Sequence, residues 1–397
     1  MENPKDQEPF EEITEALKNN DAALAVAMVQ EYLEKQDNIP LNIAITGESG
    51  SGKSTFVNGF RGVDNKDERA APTGCVETTM EVTAYPHPNY PNVTLWDLPG
   101  IGTTNFPASK YLEHVGFEKF DFFIIISADR FRENDVKLAQ EIQKMKKKFY
   151  FLRSKIDDNL RAAEKSQREF NAEETLERIR QDCVQGLQKQ GVESPKVFLI
   201  SSFDLHLYDF PLLEEIMERE LPAHKRNALL FAIPTINLEI VNKKKMAFQG
   251  KIKYQALNSA LAAAVPIPGL SIAADLGMLV IFTTQYKNGF GLDSKSLQKL
   301  ADSTHVPLSD LNAVMTSPLA ANVINEELLI KVISMSATAA ALVAAEEGLR
   351  FIPIFGIPLA MAASFISTYN ILSNCLNMLA EDAQKVLMKA LGLNTSV

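Results

Sequence analysis

The spacing of apolar positions changes character twice along the chain. Over residues 10–36, in FEEITEALKN and DAALAVAMVQEYLEKQ, Leu24, Met28 and Tyr32 recur every fourth position with Ala25, Val29 and Leu33 beside them. That spacing predicts two short amphipathic helices, with Asp21 as the N-cap of the second. From about 40 to 222 short apolar runs take over: LNIAI (41–45), EVTAY (81–85), VTLWD (93–97), FFIIIS (122–127), FYFL (149–152) and VFLI (197–200). Helical periods follow them at 53–61, 108–117, 134–148, 171–190 and 211–220. Strands alternating with helices predict an α/β fold, a doubly wound, mostly parallel sheet covered on both faces. After Pro222 the strand pattern stops, and 223–397 reads as helical throughout. The predicted division is therefore 1–36, N-terminal helices; 37–222, an α/β domain; and 223–397, a C-terminal helical domain. The polar segment 153–171 reads as a surface loop leading into a helix. The basic runs Lys144–Lys148 and Lys243–Lys245 read as solvated helix positions.

Composition narrows the class. A chain of 397 residues suggests about two or three domains. Its formal charge of −10 lacks the basic balance of a nucleic-acid binder, so no nucleic-acid partner is expected. Cys75, Cys183 and Cys375 lie far apart with no C-x-x-C, which supports neither a disulfide framework nor a cysteine zinc site and fits a reducing compartment. The histidines are scattered, without H-E-x-x-H. The first residues, MENPKDQEPF, have no signal-peptide pattern, and Glu2 excludes N-myristoylation. The expected location is cytoplasmic.

The strongest chemical signal is Gly47-Glu48-Ser49-Gly50-Ser51-Gly52-Lys53-Ser54, followed by Thr55. It matches G-x-x-x-x-G-K-[ST] between a predicted strand and a predicted helix, the context that a phosphate-binding loop requires. Glycines let backbone N–H groups wrap a phosphate, and the helix N-terminus adds partial positive charge there. Lys53 is expected to reach the β- and γ-phosphates, and the Ser54 hydroxyl to ligate Mg2+.

The remaining motifs choose the nucleotide. Asp97-Leu98-Pro99-Gly100 closes the strand VTLWD, with Asp97 placed to hold magnesium and Gly100 to sense the γ-phosphate. Ser154-Lys155-Ile156-Asp157 follows FYFL. A carboxylate at Asp157 can accept two hydrogen bonds from guanine N1–H and its 2-amino group, and adenine offers no such pair. Lys155 would lie along the base. Ser201-Ser202, after VFLI, suits a loop whose backbone meets guanine O6. These elements stand at strand C-terminal ends, where doubly wound sheets bind ligands, so GTP/GDP with Mg2+ is expected rather than ATP.

Between these motifs, 62–80 is polar and aperiodic and is expected to be a switch loop. Thr73, Thr78 and Thr79 are candidate magnesium or phosphate contacts, with Thr79 taken as a metal ligand and catalytic candidate. Gly100 is followed by Ile101 and Gly102, where small GTPases place a water-orienting glutamine. Hydrolysis then needs another group or a partner. A low-turnover scaffold that recruits partners in its GTP state is the alternative.

These residues resemble the immunity-related GTPases, an interferon-inducible family in the dynamin-like group, over nearly the whole chain. The resemblance is densest in GESGSGKSTFVNGFRG (47–62), AAPTGCVETTM (70–80), YPHPNYPNVTLWDLPGIGTTNFP (85–107), FDFFIIISADRFRENDVKLA (120–139) and LPAHKR (221–226). Lys53 in the phosphate loop is similar to the effector subgroup. The resemblance implies a P-loop GTPase domain with an all-α domain assembled from both chain ends. It implies GTP-dependent self-association through facing GTPase domains, hydrolysis activated across that interface, and action on pathogen vacuoles. Glu77 matches a switch-loop glutamate of cooperative hydrolysis, making Lys53, Glu77 and Thr79 the catalytic candidates. Thr73 and Thr79 match threonines that parasite kinases phosphorylate.

The helical region is strongly apolar. From Phe351 to Ala380 no residue is charged, and between Lys253 and Lys287 only Asp275 is. Stretch 351–369 has about the length of a membrane span, but Pro353, Gly356 and Pro358 interrupt it. A buried helical core is the primary reading, and conditional membrane association through 256–284 or 351–372 the second.

Overall fold

The computed structural model describes residues 10–19, 21–74, 81–99, 115–128, 133–264, 272–336 and 359–393. They divide into two compact units, Ile39–Ile236 and a second made of Met1–Asn38 with Asn237–Val397.

The first unit is built on six strands: β1 (Leu41–Gly47), β2 (Thr83–Pro86), β3 (Val93–Asp97), β4 (Phe122–Ser127), β5 (Lys148–Arg153) and β6 (Val197–Leu199). Their order across the sheet is β2-β3-β1-β4-β5-β6. All neighbours run parallel except β2, which pairs antiparallel with β3, Thr83 opposite Asp97 and Pro86 opposite Thr94. The reason is chain length. The β2–β3 connection is far too short for a parallel crossover, so the chain turns back as a hairpin. β4 is buried at every position, as a central strand covered on both faces must be.

The helices of the described residues are numbered in chain order. In the sequence of the first unit, α3 (Lys53–Phe60), α4 (Glu133–Lys144), α5 (Ile156–Ser166), α6 (Ala172–Lys189), α7 (Phe210–Glu220) and α8 (Ala223–Ala232) follow the strands. The segment read as a polar loop at 153–171 contains α5. That helix buries only Ile156, with Leu160 packed beside it, so its apolar stripe is too thin to show in the sequence. The division expected at 222 also shifts. Helix α8 packs on β1 and β3, its Phe231 ring stacks on Tyr90 at 5.8 Å, and Lys225 pairs with Asp121 at 2.6 Å. The helix therefore belongs with the sheet.

The second unit begins with α1 (Phe10–Lys18) and α2 (Ala22–Asp37). Asp21 caps α2, its side chain accepting from Leu24 N at 3.0 Å. Both ends of the chain meet here: the Tyr32 and Tyr254 rings lie 4.1 Å apart, and Phe10 meets Tyr254 edge-on at 5.9 Å. Then come α9 (Leu238–Ala264), α10 (Ile272–Gly289), α11 (Ser294–Thr304), α12 (Leu308–Ala313), α13 (Pro318–Ala321), α14 (Glu326–Ser336) and α15 (Leu359–Ala390). The long helices α9 and α15 form the spine and run antiparallel: Asn242 bonds to Gln384, Gln249 to Tyr369, and Ser259 lies against Thr368. Lys244 corrects the reading of its basic run as solvated. It is buried and donates to Gly289 O at 2.9 Å. The position falls on the stripe Ile240, Lys244, Phe248, Ile252, which faces the interior at helical spacing.

Among the described residues no helix is long and apolar enough to cross a membrane. Residues 351–358 lie outside the described ones.

Candidate functional site

The chain leaves β1 at Gly47 with φ +140°, and a Cβ there would stand 2.1 Å from Ile126 O. No side chain fits between this turn and the backbone of β4. Gly50 and Gly52 also adopt left-handed angles, +77° and +94°. The loop thus wraps tightly before opening α3, whose first residue is Lys53. Glu48 is half-buried, and Ser49 and Gly50 are exposed. Lys53 is buried, and its ammonium donates to Glu48 O at 3.1 Å, across the mouth of the loop. Ser54 Oγ donates to Asp97 Oδ2 at 2.7 Å, joining α3 to the end of β3. Asp97 is fully buried, and Thr55 is half-buried beside Ser54.

Two further loops converge on the same place. Ser154 Oγ donates to Ser51 O at 2.7 Å, and a Cβ built on Gly52 would lie 3.8 Å from Ser154 Oγ and 3.9 Å from Ser202 Oγ. Gly59 extends this closeness, since a Cβ there would lie 2.6 Å from Ser202 O. The loop at 47–54, the segment after β5 and the segment after β6 therefore meet. Ser51 Oγ and Ser202 Oγ are buried with no hydrogen-bond partner among the described residues. Buried hydroxyls are nearly always satisfied, so these mark where a polar ligand or water belongs. Ser201 is fully buried, its Oγ accepting from Asp204 N at 3.3 Å.

The segment expected to read the base turns at Lys155, which is exposed with φ +57°. A left-handed non-glycine residue costs about 1–3 kcal/mol, sustained here by the fixed neighbours on either side. The turn puts Asp157 in the first turn of α5, half-exposed. Tyr208, also left-handed at φ +57°, faces the same region; burial first, then the charges of Asp157 and Asp204, push its hydroxyl up.

Several supporting residues were not anticipated. Arg153 is buried; it donates to Ser154 O at 2.9 Å, to Asn159 Oδ1 at 2.8 Å and to Ala128 O. It ties the ends of β4 and β5 to α5. An arginine closing an otherwise apolar strand was the available signal. Asp209 accepts from Arg180 at 2.6 and 3.1 Å and from Leu199 N at 2.7 Å, fixing the end of β6. Tyr85 on β2 is pushed up by burial and then by the charge of Asp97, against the opposing charge of Arg61.

Thr73 is described and exposed. Glu77, Thr78, Thr79, Gly100, Ile101 and Gly102 lie outside the described residues, as does Cys75.

Comparison with known proteins closes the reading. Residues 6–390 match the family "Interferon-inducible GTPase (IIGP)". "Interferon-inducible GTPase 5" of Bos taurus is 43% identical over 97% of this chain and 83% of its own length. "Interferon-gamma-inducible GTPase 10" of Mus musculus is 36% identical over 98% of this chain and 91% of its own. A solved oligomerised bacterial dynamin pair aligns over 96% of this chain and 76% of that one at 12% identity and TM-score 0.33, too weak a likeness to bear on function. With the family matched from end to end, the chain belongs to the interferon-inducible GTPases.

Proposed function

We propose that the unit Ile39–Ile236 binds GTP with Mg2+ and hydrolyses it. The observation that carries this reading is the 2.7 Å Ser54–Asp97 bond at the mouth of a loop flanked by Ser154 and Ser202. A hydroxyl beside a buried carboxylate is a hard oxygen donor set that fits magnesium, and the loop glycines and the buried Ser51 and Ser202 hydroxyls fit a phosphate-rich ligand. Ser54 and Asp97 would hold the magnesium, which would supply positive charge to offset the charge that develops in phosphoryl transfer.

The chain's own residues do the rest. Backbone N–H groups of 47–54 and the N-terminus of α3 hold the phosphates. Lys53 exchanges its bond to Glu48 O for phosphate oxygens. Asp157 accepts from guanine, Lys155 lies along the base, and the 201–202 segment meets guanine O6. Gly100, Glu77 and Thr79 complete the γ-phosphate side, with Thr79 on the metal and Glu77 acting across an interface between copies.

We further propose GTP-dependent self-association through these domains. Association with membranes is then conditional, and the role is in cell-autonomous immunity at pathogen vacuoles. Family membership and the absence of a water-orienting glutamine after Gly100 support this. The domain pattern proposed is a GTPase unit and a helical unit drawn from both chain ends. The test is GTPase rate against protein concentration, with and without liposomes. Specific activity that rises with concentration is expected. A flat profile rejects activation between copies, and absence of turnover rejects the enzymatic reading.

A further inference from the structure

Helix α3 carries a second set of polar side chains one turn beyond the residues that face the phosphate loop. Asn58 is fully buried. Its Oδ1 accepts from Ala71 N at 2.7 Å, and its Nδ2 donates to Ala71 O at 2.9 Å and to Asn65 Oδ1 at 2.9 Å. The amide therefore pairs with both backbone groups of a single residue, as a neighbouring strand would. Arg61, also buried, adds a second tie: it donates to Arg69 O at 3.0 Å and to Pro86 O at 3.1 Å, with its guanidinium 5.4 Å from the centre of the Tyr85 ring.

Exposure changes sharply at the clamped residue. Ala71 is fully buried, whereas Pro72, Thr73 and Gly74 are exposed. The chain is thus held up to Ala71 and leaves the body of the unit directly after it. Ser54 and Asn58 stand four residues apart, on one face of α3 and about 6 Å along its axis. One end of this short helix holds Asp97 through Ser54, and the next turn holds Ala71 through Asn58.

We propose that Asn58 is a positioning residue for GTP hydrolysis, clamping Ala71 so that the segment carrying Thr73 departs from a fixed point relative to Ser54 and Asp97. The inference rests on the reading of Lys53, Ser54 and Asp97 given above. An asparagine is required because the role needs one acceptor and one donor side by side. Aspartate keeps the acceptor for Ala71 N and turns a second acceptor toward Ala71 O. Asn65 is half-buried and supplies one of the bonds, so its loss weakens the clamp without emptying it.

The test compares the full-length parent with Asn58→Ala, Asn58→Asp, Asn65→Ala and Lys53→Ala. GDP affinity, GTP turnover at saturation and melting temperature are measured, with turnover scaled to the fraction that binds GDP. The expected result is a fall in kcat of about 10-fold or more for both Asn58 variants and about 2–3-fold for Asn65→Ala, with GDP affinity within about 3-fold of the parent. Loss of melting temperature with unchanged kcat per binding-competent molecule overturns the proposal, because a purely structural residue behaves that way. Should the Asn58 variants not fold, unchanged turnover in Asn65→Ala overturns it. A parent that binds no GDP, or Lys53→Ala with parental turnover, instead defeats the reading of the site itself.

Discussion

The two rims of the same sheet are built on opposite rules. At the N-terminal ends of the strands, polar groups close on one another. Lys225 pairs with Asp121, whose other oxygen accepts from Asn42 N at 2.9 Å. Lys147 donates to Glu118 O and Phe120 O, and Lys148 to Glu220 O. Glu220 receives Lys196 and, at 3.0 Å, the Tyr150 hydroxyl. At the C-terminal ends, glycines with left-handed angles, a lysine resting on a loop carbonyl, and two buried serine hydroxyls without described partners gather around Asp97. A rim that satisfies itself has no chemistry left to offer. A rim that leaves donors and acceptors open has stability to gain only from what it binds. Substitutions should therefore separate: the C-terminal rim governs nucleotide chemistry, and the N-terminal rim governs stability.

The largest expected effect is at Lys53. Lys53→Ala removes the only side-chain cation of the phosphate motif and should lower GTP turnover by about two to three orders of magnitude. Melting temperature without nucleotide should change little, because the Lys53 ammonium donates to Glu48 O, a loop carbonyl of its own turn. A large loss of stability in the ligand-free protein would break the contrast between the rims.

Next comes Asp157. Asp157→Asn should weaken GTP binding by about 10- to 100-fold, the worth of a charged hydrogen-bonding partner, and move preference toward xanthine nucleotide. Competition by GTP and XTP for a fluorescent GDP checks it. Parental GTP affinity would show that the segment after β5 does not read the base.

These rims differ equally in how they appear in sequence. The convergence at the C-terminal rim was legible because its motifs are contiguous and their order is set by the βα repeat: Gly47–Ser54, Asp97 and Ser154–Asp157 each sit just past an apolar run. The opposite rim was not, because its partners are far apart. Asp121 meets Lys225, and Tyr150 meets Glu220, and no local pattern pairs them. Helix α5 was hidden by its thin apolar stripe, and the antiparallel β2 by a strand pattern that carries no direction. Lys244 shows the same limit in the helical unit. A charged residue inside a basic run looks solvated until the helix phase puts it beside Phe248 and Ile252.

A smaller effect, and on the other rim, is expected at Lys225. Lys225→Met leaves Asp121 with the Asn42 N–H alone and loosens α8 from the sheet. The pair is partly exposed, so destabilisation of about 1–2 kcal/mol is expected, read as a lower denaturant midpoint. GTP turnover of the folded variant should stay within about twofold of the parent. A turnover defect without loss of stability would mean that the N-terminal rim reaches the site.

The smallest effect concerns Glu220 and its pH dependence. Burial alone pushes this carboxyl up, but the hydrogen bonds from Lys196 and Tyr150 and the charges of Lys196 and Lys148 outweigh it and hold the group below its ordinary value. A carboxyl depressed on folding stabilises the protein fully above its unfolded value, about 4.3, and loses that contribution as pH falls through the folded value. Glu220→Gln removes the charge and keeps the shape. The variant should be less stable than the parent by about 1 kcal/mol at pH 7. The gap should shrink as both proteins are taken below about pH 4, where the parent's carboxyl also becomes neutral. Denaturation midpoints of the two proteins across that range measure it. A gap that stays constant with pH would assign the loss to packing instead of charge. A gap that comes with altered nucleotide affinity at pH 7 would remove the distinction between the rims, since Glu220 stands at the strand ends away from Asp97 and the loop at 47–54.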